Sequence, residues 1–146
     1  MSKTSIEWAT MVWNPVVGCT KVSEGCRNCY AKRLHDLRHQ AYLAGKKLPA
    51  QYAQPFEVVQ LREERLEDPL HWKTPQRVFV NSMSDLFHES VPDHFIQSVF
   101  SIMENARQHT FIVLTKRAKR LADWIIHYDN WLRYAGAGNF VARHPN

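Results

Sequence analysis

The segment Trp13–Ala31, WNPVVGCTKVSEGCRNCYA, decides how the chain is organised, because it holds all three cysteines of the protein. Cys19, Cys26 and Cys29 follow one another with the spacing C-x6-C-x2-C, on a loop between a short apolar run and a helical pattern. The two-residue gap allows one tight turn to present two sulfur atoms to the same centre. Gly18 lets the backbone bend around a bulky group just before the first cysteine. Loop 18–29 is therefore a candidate metal centre.

Three thiolates from one loop suit a [4Fe-4S] cluster, because they bind three irons and leave the fourth iron open to another ligand. A zinc site is an alternative that needs a fourth ligand, and His35 is the nearest candidate. A third interpretation is three unrelated buried thiols, since free cysteine often behaves as a small hydrophobic residue. The loop is too polar for a core segment, and an odd cysteine count without a secretory leader disfavours disulfides. We therefore prefer the iron–sulfur interpretation.

Length and composition predict one globular domain, residues 1–134, followed by a loop-like tail, residues 135–146. The chain has 146 residues, of which 45% are hydrophobic, and its formal net charge is +5. No apolar run approaches the roughly 20 residues that span a bilayer, so we expect a cytoplasmic protein with reduced thiols and no membrane partner. The positive charge can attract nucleic acid or an anionic cofactor, which makes nucleic acid a candidate partner.

Apolar runs that alternate with helical patterns predict the fold class. We expect strands at 10–17, 56–61, 77–80 and 110–114, and helices at 30–44, 62–72, from 90 and from 115. Such alternation gives a parallel sheet covered by helices. The predicted fold is α/β, a partial (β/α) barrel of about four parallel strands, which is half of an eight-unit barrel. Its last strand would have an open edge, where we expect a second copy, the tail or a protein partner to pair.

Polar residues follow the third and fourth predicted strands, at the edge where parallel α/β folds place their sites. The segment Asn81–Asp85 (NSMSD) comes directly after an apolar strand, and Lys116 follows the next strand. Residues 81–85 could bind a nucleoside cofactor or could equally serve helix capping and turn formation. Lys116 could bind an anion or lie at the solvated start of a helix. His88 and Glu89 are expected to face solvent. The candidate cofactor-binding residues are Asn81, Ser82, Ser84, Asp85 and Lys116, and no catalytic residue is assigned.

The cysteine segment resembles a phage family of unknown function, the gene product 37/gene product 68 family. Two further stretches resemble it in the same order, Arg77–Glu89 (RVFVNSMSDLFHE) and His109–Arg117 (HTFIVLTKR). The family is distant kin of the radical-SAM spore photoproduct lyases. The resemblance covers nearly the whole chain, which matches the N-terminal half of the family's usual proteins. It implies a bacteriophage protein in the cytoplasm of a bacterium or infected host, with half of a radical-SAM barrel.

The resemblance also implies a chemistry. A reduced [4Fe-4S] cluster on Cys19, Cys26 and Cys29 would hold S-adenosylmethionine at its open iron and cleave it to a 5′-deoxyadenosyl radical. Tyr30 would then pack against the cluster or the adenine. The usual radical-SAM spacing is C-x3-C-x2-C, so the longer first gap supports the cluster better than S-adenosylmethionine. Two alternatives stay open: a non-enzymatic zinc or cluster module that binds nucleic acid, and an inactive half-barrel that binds a host or phage protein.

Overall fold

The structure is a computed structural model that describes residues 2–134. The predicted tail, residues 135–146, lies outside the described residues. Contacts divide the described residues into two compact units with the boundary after residue 116, whereas the sequence pattern predicts a single domain over 1–134. The first unit contains the cysteine loop and every other residue that the sequence nominates for a site. Within residues 2–134, no helix combines the length and the apolar character needed to cross a bilayer.

Two small sheets make up the strand framework of the described residues. The strands are β1 (Ser2–Lys3), β2 (Met11–Trp13), β3 (Val16–Val17), β4 (Gln60–Leu61), β5 (Arg77–Val80) and β6 (Thr110–Val113). The larger sheet has the order β1-β2-β5-β6, in which β2, β5 and β6 are parallel and β1 runs antiparallel to β2. The smaller sheet is the antiparallel pair of β3 and β4. Three parallel strands therefore share one edge at their carboxyl ends.

The predicted partial barrel of about four parallel strands is wrong. The expected first strand divides at Asn14 and Pro15 into β2 and β3, which belong to different sheets. Proline has no N–H to donate to a ladder, so pairing stops there. The expected second strand shrinks to β4 and pairs antiparallel with β3. Phe56 is instead buried in the core, and its carbonyl oxygen accepts a hydrogen bond from Cys19 N.

Three α-helices accompany the strands in the described part of the chain. They are α1 (Tyr30–Leu43), α2 (Asp93–Asn105) and α3 (Ala118–Tyr134). The helix expected at 62–72 is replaced by two 3-10 turns, Glu63–Arg65 and Asp68–His71. Two further 3-10 turns are Glu24–Cys26, inside the cysteine loop, and Ala50–Ala53. In α3, which belongs to the second unit, the rings of Trp124 and Tyr128 stack one helical turn apart.

The core of the first unit includes β5, in which every residue after Arg77 is buried. Val78 and Val80 are fully buried, and α2 contributes Phe95, Ile96 and Val99 to the same interior. Burying one such side chain contributes roughly 1.5–3 kcal/mol relative to leaving it in water. This packing fixes β5, and with it the polar segment that follows β5 at the edge of the sheet.

The edge strand β6 is where the sequence predicts that another strand, from a second copy, the tail or a partner, would pair. In the part of the chain that the structure describes, β6 pairs with β5 alone, and Leu114 just beyond it is 54% exposed. We expect the purified protein to self-associate or to protect this edge with another segment. Light scattering and hydrogen exchange on residues 110–114 measure this, with the β5 amides as an internal reference. A monodisperse monomer with fast exchange at 110–114 would contradict it.

Candidate functional site

The cysteine loop begins where β3 meets the segment that follows β5. Gly18 forms a bridge with Ser84, and Gly18 N donates a hydrogen bond of 3.1 Å to the Met83 carbonyl oxygen. Cys19 N donates to the Phe56 carbonyl oxygen at 2.9 Å. Gly18 has a φ of +91°, in the left-handed region that favours glycine. The first cysteine is therefore held against the carboxyl end of the central strand.

The far end of the loop is held to the same segment by Tyr30. Its hydroxyl group donates a hydrogen bond of 2.6 Å to the Ser82 carbonyl oxygen. Burial raises the pKa of Tyr30. The phenol is therefore neutral near pH 7 and acts as a donor. Both ends of loop 18–29 rest on residues 82–84.

Asp85 connects the segment after β5 to the segment after β6. This buried carboxylate accepts hydrogen bonds from Phe87 N at 3.0 Å, from Thr115 Oγ1 at 2.7 Å and from Lys116 N at 3.1 Å. Lys116 in turn donates from Nζ to the Gly25 carbonyl oxygen, in the middle of the cysteine loop. The structure thus brings Asp85 and Lys116 to the cysteine loop, where they tie protein segments together.

The three remaining polar candidates bind protein groups as well. Asn81 has a left-handed φ of 58°, and its Oδ1 accepts a hydrogen bond of 3.2 Å from Val16 N. Ser82 Oγ donates to Asn14 Oδ1 at 3.1 Å, and Ser84 Oγ donates to the Val16 carbonyl oxygen at 2.8 Å. These bonds join the ends of β2 and β3 to the end of β5. Asn81 Nδ2 is buried without a hydrogen-bond partner in the described residues.

All three cysteines are free thiols and are partly exposed. Cys19 and Cys29 pack against one apolar cluster, formed by Ala31, Phe56 and Met83. In the residues that the structure describes, no three His, Cys, Asp or Glu side chains are placed to hold a metal ion. Three thiols are the donor type that a thiolate-bound metal takes, and the loop would have to rearrange to bring their sulfur atoms to one centre.

The surroundings of Cys26 favour the thiolate form of its side chain. Hydrogen bonding from the backbone at Val22 lowers the pKa of the Cys26 thiol, and Ser23 and the positive charge of Lys116 lower it further, against an opposing effect of burial. The thiolate is the form that binds metals and reacts as a nucleophile. The ammonium group of Lys116 therefore holds the loop through its bond to the Gly25 carbonyl oxygen, and its charge also favours the Cys26 thiolate.

The lowered pKa of the Cys26 thiol predicts how the rate of its alkylation depends on pH. We expect Cys26 in the folded protein to reach half of its maximal iodoacetamide rate at a lower pH than the same cysteine in urea, because the backbone hydrogen bonds are lost on unfolding. Mass spectrometry of the peptide that contains Cys26 measures the rate at each pH. Superimposable folded and unfolded pH profiles would contradict the stabilisation of the thiolate.

Two histidines have roles that the sequence does not reveal. The expectation that His88 faces solvent is wrong, since it is buried. His88 Nδ1 accepts from Ser90 N at 3.0 Å, so Nε2 carries the proton and donates to Thr20 Oγ1 at 2.8 Å. This bond supports the residue next to Cys19. His35, the candidate fourth zinc ligand, is fully buried, and its Nε2 lies 2.9 Å from the Gln54 carbonyl oxygen. No periodic pattern signals either contact.

Together these features define a mixed α/β protein whose three-cysteine loop is fixed at the carboxyl ends of its parallel strands. Residues 3–141 match a family described as a protein of unknown function, DUF5131, and the chain belongs to that family. No curated protein matches the chain, and no solved structure matches it either. The family carries no stated activity, so function has to be argued from the site.

Proposed function

We propose that this protein binds an iron–sulfur cluster through Cys19, Cys26 and Cys29. The observation that carries the proposal is the placement of three free thiols on one loop whose two ends are both hydrogen-bonded to the segment after β5. Such a loop offers several soft ligands within a short length of chain, while the anchored ends limit how far the ligands can separate. Iron–sulfur clusters are bound by cysteine thiolates.

The surroundings of the thiols favour this donor set. The apolar cluster of Ala31, Phe56 and Met83 lies on one side of Cys19 and Cys29 and limits the access of water to them. Hydrogen bonds to sulfur and solvent exclusion are the means by which a protein stabilises a cluster and sets its potential. The lowered pKa of Cys26 provides a thiolate at lower pH than an ordinary cysteine does.

We extend the proposal to radical-SAM-type chemistry, supported by the motif resemblance. When bound, a reduced cluster supplies one electron for the cleavage of S-adenosylmethionine. This chain's own residues position the loop: Tyr30 holds the Ser82 carbonyl group, and Lys116 holds the Gly25 carbonyl group. Asp85 fixes Lys116 through its backbone N–H. The buried Asn81 Nδ2 is an available hydrogen-bond donor at this edge of the sheet.

Anaerobic reconstitution tests the proposal. The reduced protein is incubated with iron and sulfide, or separately with zinc, then desalted and assayed for bound metal. We expect about four irons and about four sulfides per chain and a brown colour. A matched control carries Cys19→Ser, Cys26→Ser and Cys29→Ser together and should bind no cluster. A colourless protein that retains zinc and rejects iron would overturn the iron–sulfur assignment in favour of a zinc module.

Cleavage of S-adenosylmethionine is tested separately on the reconstituted protein. Dithionite reduces the cluster, and chromatography measures 5′-deoxyadenosine formed over time. Formation by the reconstituted protein, and none by the triple serine variant, is the expected result. A full and reducible cluster without 5′-deoxyadenosine would leave cluster binding intact and remove the radical-SAM part of the proposal.

A further inference from the structure

A cavity of about 660 Å³ lies in the first unit, on the side of β2 and α1. Its volume falls within the range of about 300–1,000 Å³ that is typical of small-molecule sites. Its walls mix aromatic, charged and apolar side chains. The lining residues include Trp13, Tyr30, Leu34, Arg38, Arg65 and Asp68. None of them is a cysteine, and the cavity has no assigned ligand.

Two arginine side chains on different elements are held in place at this cavity. Arg38 Nη1 donates a hydrogen bond of 2.6 Å to Tyr52 Oη, and its guanidinium carbon lies 5.4 Å from the centre of the Tyr52 ring. Arg65 Nη2 donates a bond of 2.6 Å to Gln51 Oε1, and Nη1 donates to the Asn14 carbonyl oxygen at 3.4 Å. Gln51 and Tyr52 are adjacent and buried, so both guanidinium groups are oriented by one short turn.

The positive charge of these groups is incompletely balanced. Among the described residues, Arg38 forms no ion pair, and the closest carboxylate oxygen to Arg65 is 3.9 Å away on the exposed Glu64. Burial lowers the pKa of Arg65 and the charge of Arg62 lowers it further, while Glu64, Asp68 and Tyr52 oppose the shift only in part. Asp68 is the one acidic side chain among the described residues that line the cavity. A bound anion would supply the missing charge.

We propose that this cavity binds a small organic phosphate monoester. The phosphate would accept hydrogen bonds from Arg38 and Arg65, and the organic part would lie against Leu34, Tyr30 and Met83. Each guanidinium group presents five N–H donors in a planar fork that matches phosphate oxygens. A phosphate monoester carries close to two negative charges near pH 7 and can balance both guanidinium groups, whereas a carboxylate carries only one. These features favour phosphate over carboxylate.

The cavity lies next to the cysteine loop. Tyr30 and Met83 line the cavity, and Met83 also belongs to the apolar cluster against which Cys19 and Cys29 pack. A phosphate ester in the cavity would therefore lie beside the cysteine loop. Binding requires no metal, so this proposal stands or falls independently of the cluster.

Calorimetric titration of the metal-free, reduced protein tests the proposal with phenyl phosphate, inorganic phosphate and benzoate. We expect saturable 1:1 binding of phenyl phosphate, weaker binding of inorganic phosphate, and the weakest binding of benzoate. Equal affinities for phenyl phosphate and benzoate would show a general anion site and overturn the phosphate assignment. No binding of phenyl phosphate at low salt would overturn the proposal entirely.

Arginine variants connect the binding to this cavity. Arg38→Gln and Arg65→Gln are each expected to weaken phenyl phosphate binding about tenfold or more, because a charge-assisted bidentate contact is lost. Arg33→Gln is the matched control, since Arg33 is an exposed arginine on the same helix and outside the cavity. Equal losses in all three variants would show binding to general surface charge and overturn the site. Circular dichroism verifies folding. If Arg65→Gln unfolds, Arg38→Gln carries the test, because that variant removes contacts with Tyr52 only.

Discussion

Cys19→Ala, Cys26→Ala and Cys29→Ala are each expected to remove most of the iron that the reconstituted protein retains. The physical reason is the same in all three variants: a cube that loses one thiolate keeps two protein ligands, and two ligands hold it weakly against chelators and oxidants. The effects should be similar at the three positions and should not add when variants are combined. Iron and sulfide per chain, measured after anaerobic desalting, give the result.

A control in the same loop separates ligand loss from loop damage. Asn28→Ala changes an exposed polar residue between the second and third cysteines, and should retain the full iron content. If Cys19→Ala kept its iron while Cys26→Ala lost it, Cys19 would not be a ligand and the three-cysteine site would be wrong. Equal iron loss in Asn28→Ala would show that the assay reports on loop integrity and not on ligation.

Gly18→Ala is expected to lower the free energy of unfolding by on the order of 4 kcal/mol. Two separate costs combine. An L residue with a side chain resists the φ of +91°, and the added Cβ would lie 2.8 Å from the Phe56 carbonyl oxygen and would also overlap the Val58 carbonyl oxygen. Both obstacles are backbone atoms, which cannot swing away as a flexible side chain can. Urea denaturation followed by circular dichroism measures the change.

Gly45→Ala is the matched control for the steric cost of the added Cβ. Gly45 has a similar φ of +84°, but a Cβ there would meet no atom within 4 Å. Its loss of stability should therefore be about 1–2 kcal/mol, from the backbone conformation alone. If the two alanine variants lost equal stability, the close approach of residues 56–58 to Gly18 would be contradicted.

The sequence allowed several elements to be located well, because their signals are local. The apolar run at 77–80 is β5, the run at 110–114 is β6 with one residue fewer, and the helical pattern that starts at Tyr30 ends one residue before its predicted limit. Each of these segments has one dominant pattern and a clear stop. Gly45, with its left-handed φ, marks the end of α1 in both sequence and structure.

The errors have a common physical origin in long-range pairing. β3 and β4 have two residues each, too few for a periodic pattern, and they pair across more than forty residues of sequence. The prediction extended β4 back to Phe56, whose hydrophobic character serves the core and not a strand. β1 was missed for the same reason of length, and the antiparallel pairing of β4 with β3 removed one of the four expected parallel strands.

The sequence indicates where the candidate site lies, but it does not indicate what each of the site's residues does. Parallel strands place their carboxyl ends together, and this rule explains why Asp85 and Lys116 lie at the cysteine loop. What each polar group bonds to depends on tertiary contacts that no spacing encodes. The carboxylate of Asp85 faces backbone and hydroxyl donors of the neighbouring segment, and the buried His88 supports Thr20.

The pairing of β2 with β5 has a consequence for the newly made protein. Met11 stands opposite Val78, and the anchors of the cysteine loop, residues 82–84, are synthesised long after the loop itself. Ser84 follows Cys19 by 65 residues, so at roughly 5–20 residues per second the thiols emerge about 3–13 s before their support exists. During that interval the nascent thiols are open to oxidation and to stray metals. The proposed cluster would therefore be loaded into the anchored loop at a late step, after the central strand has left the ribosome.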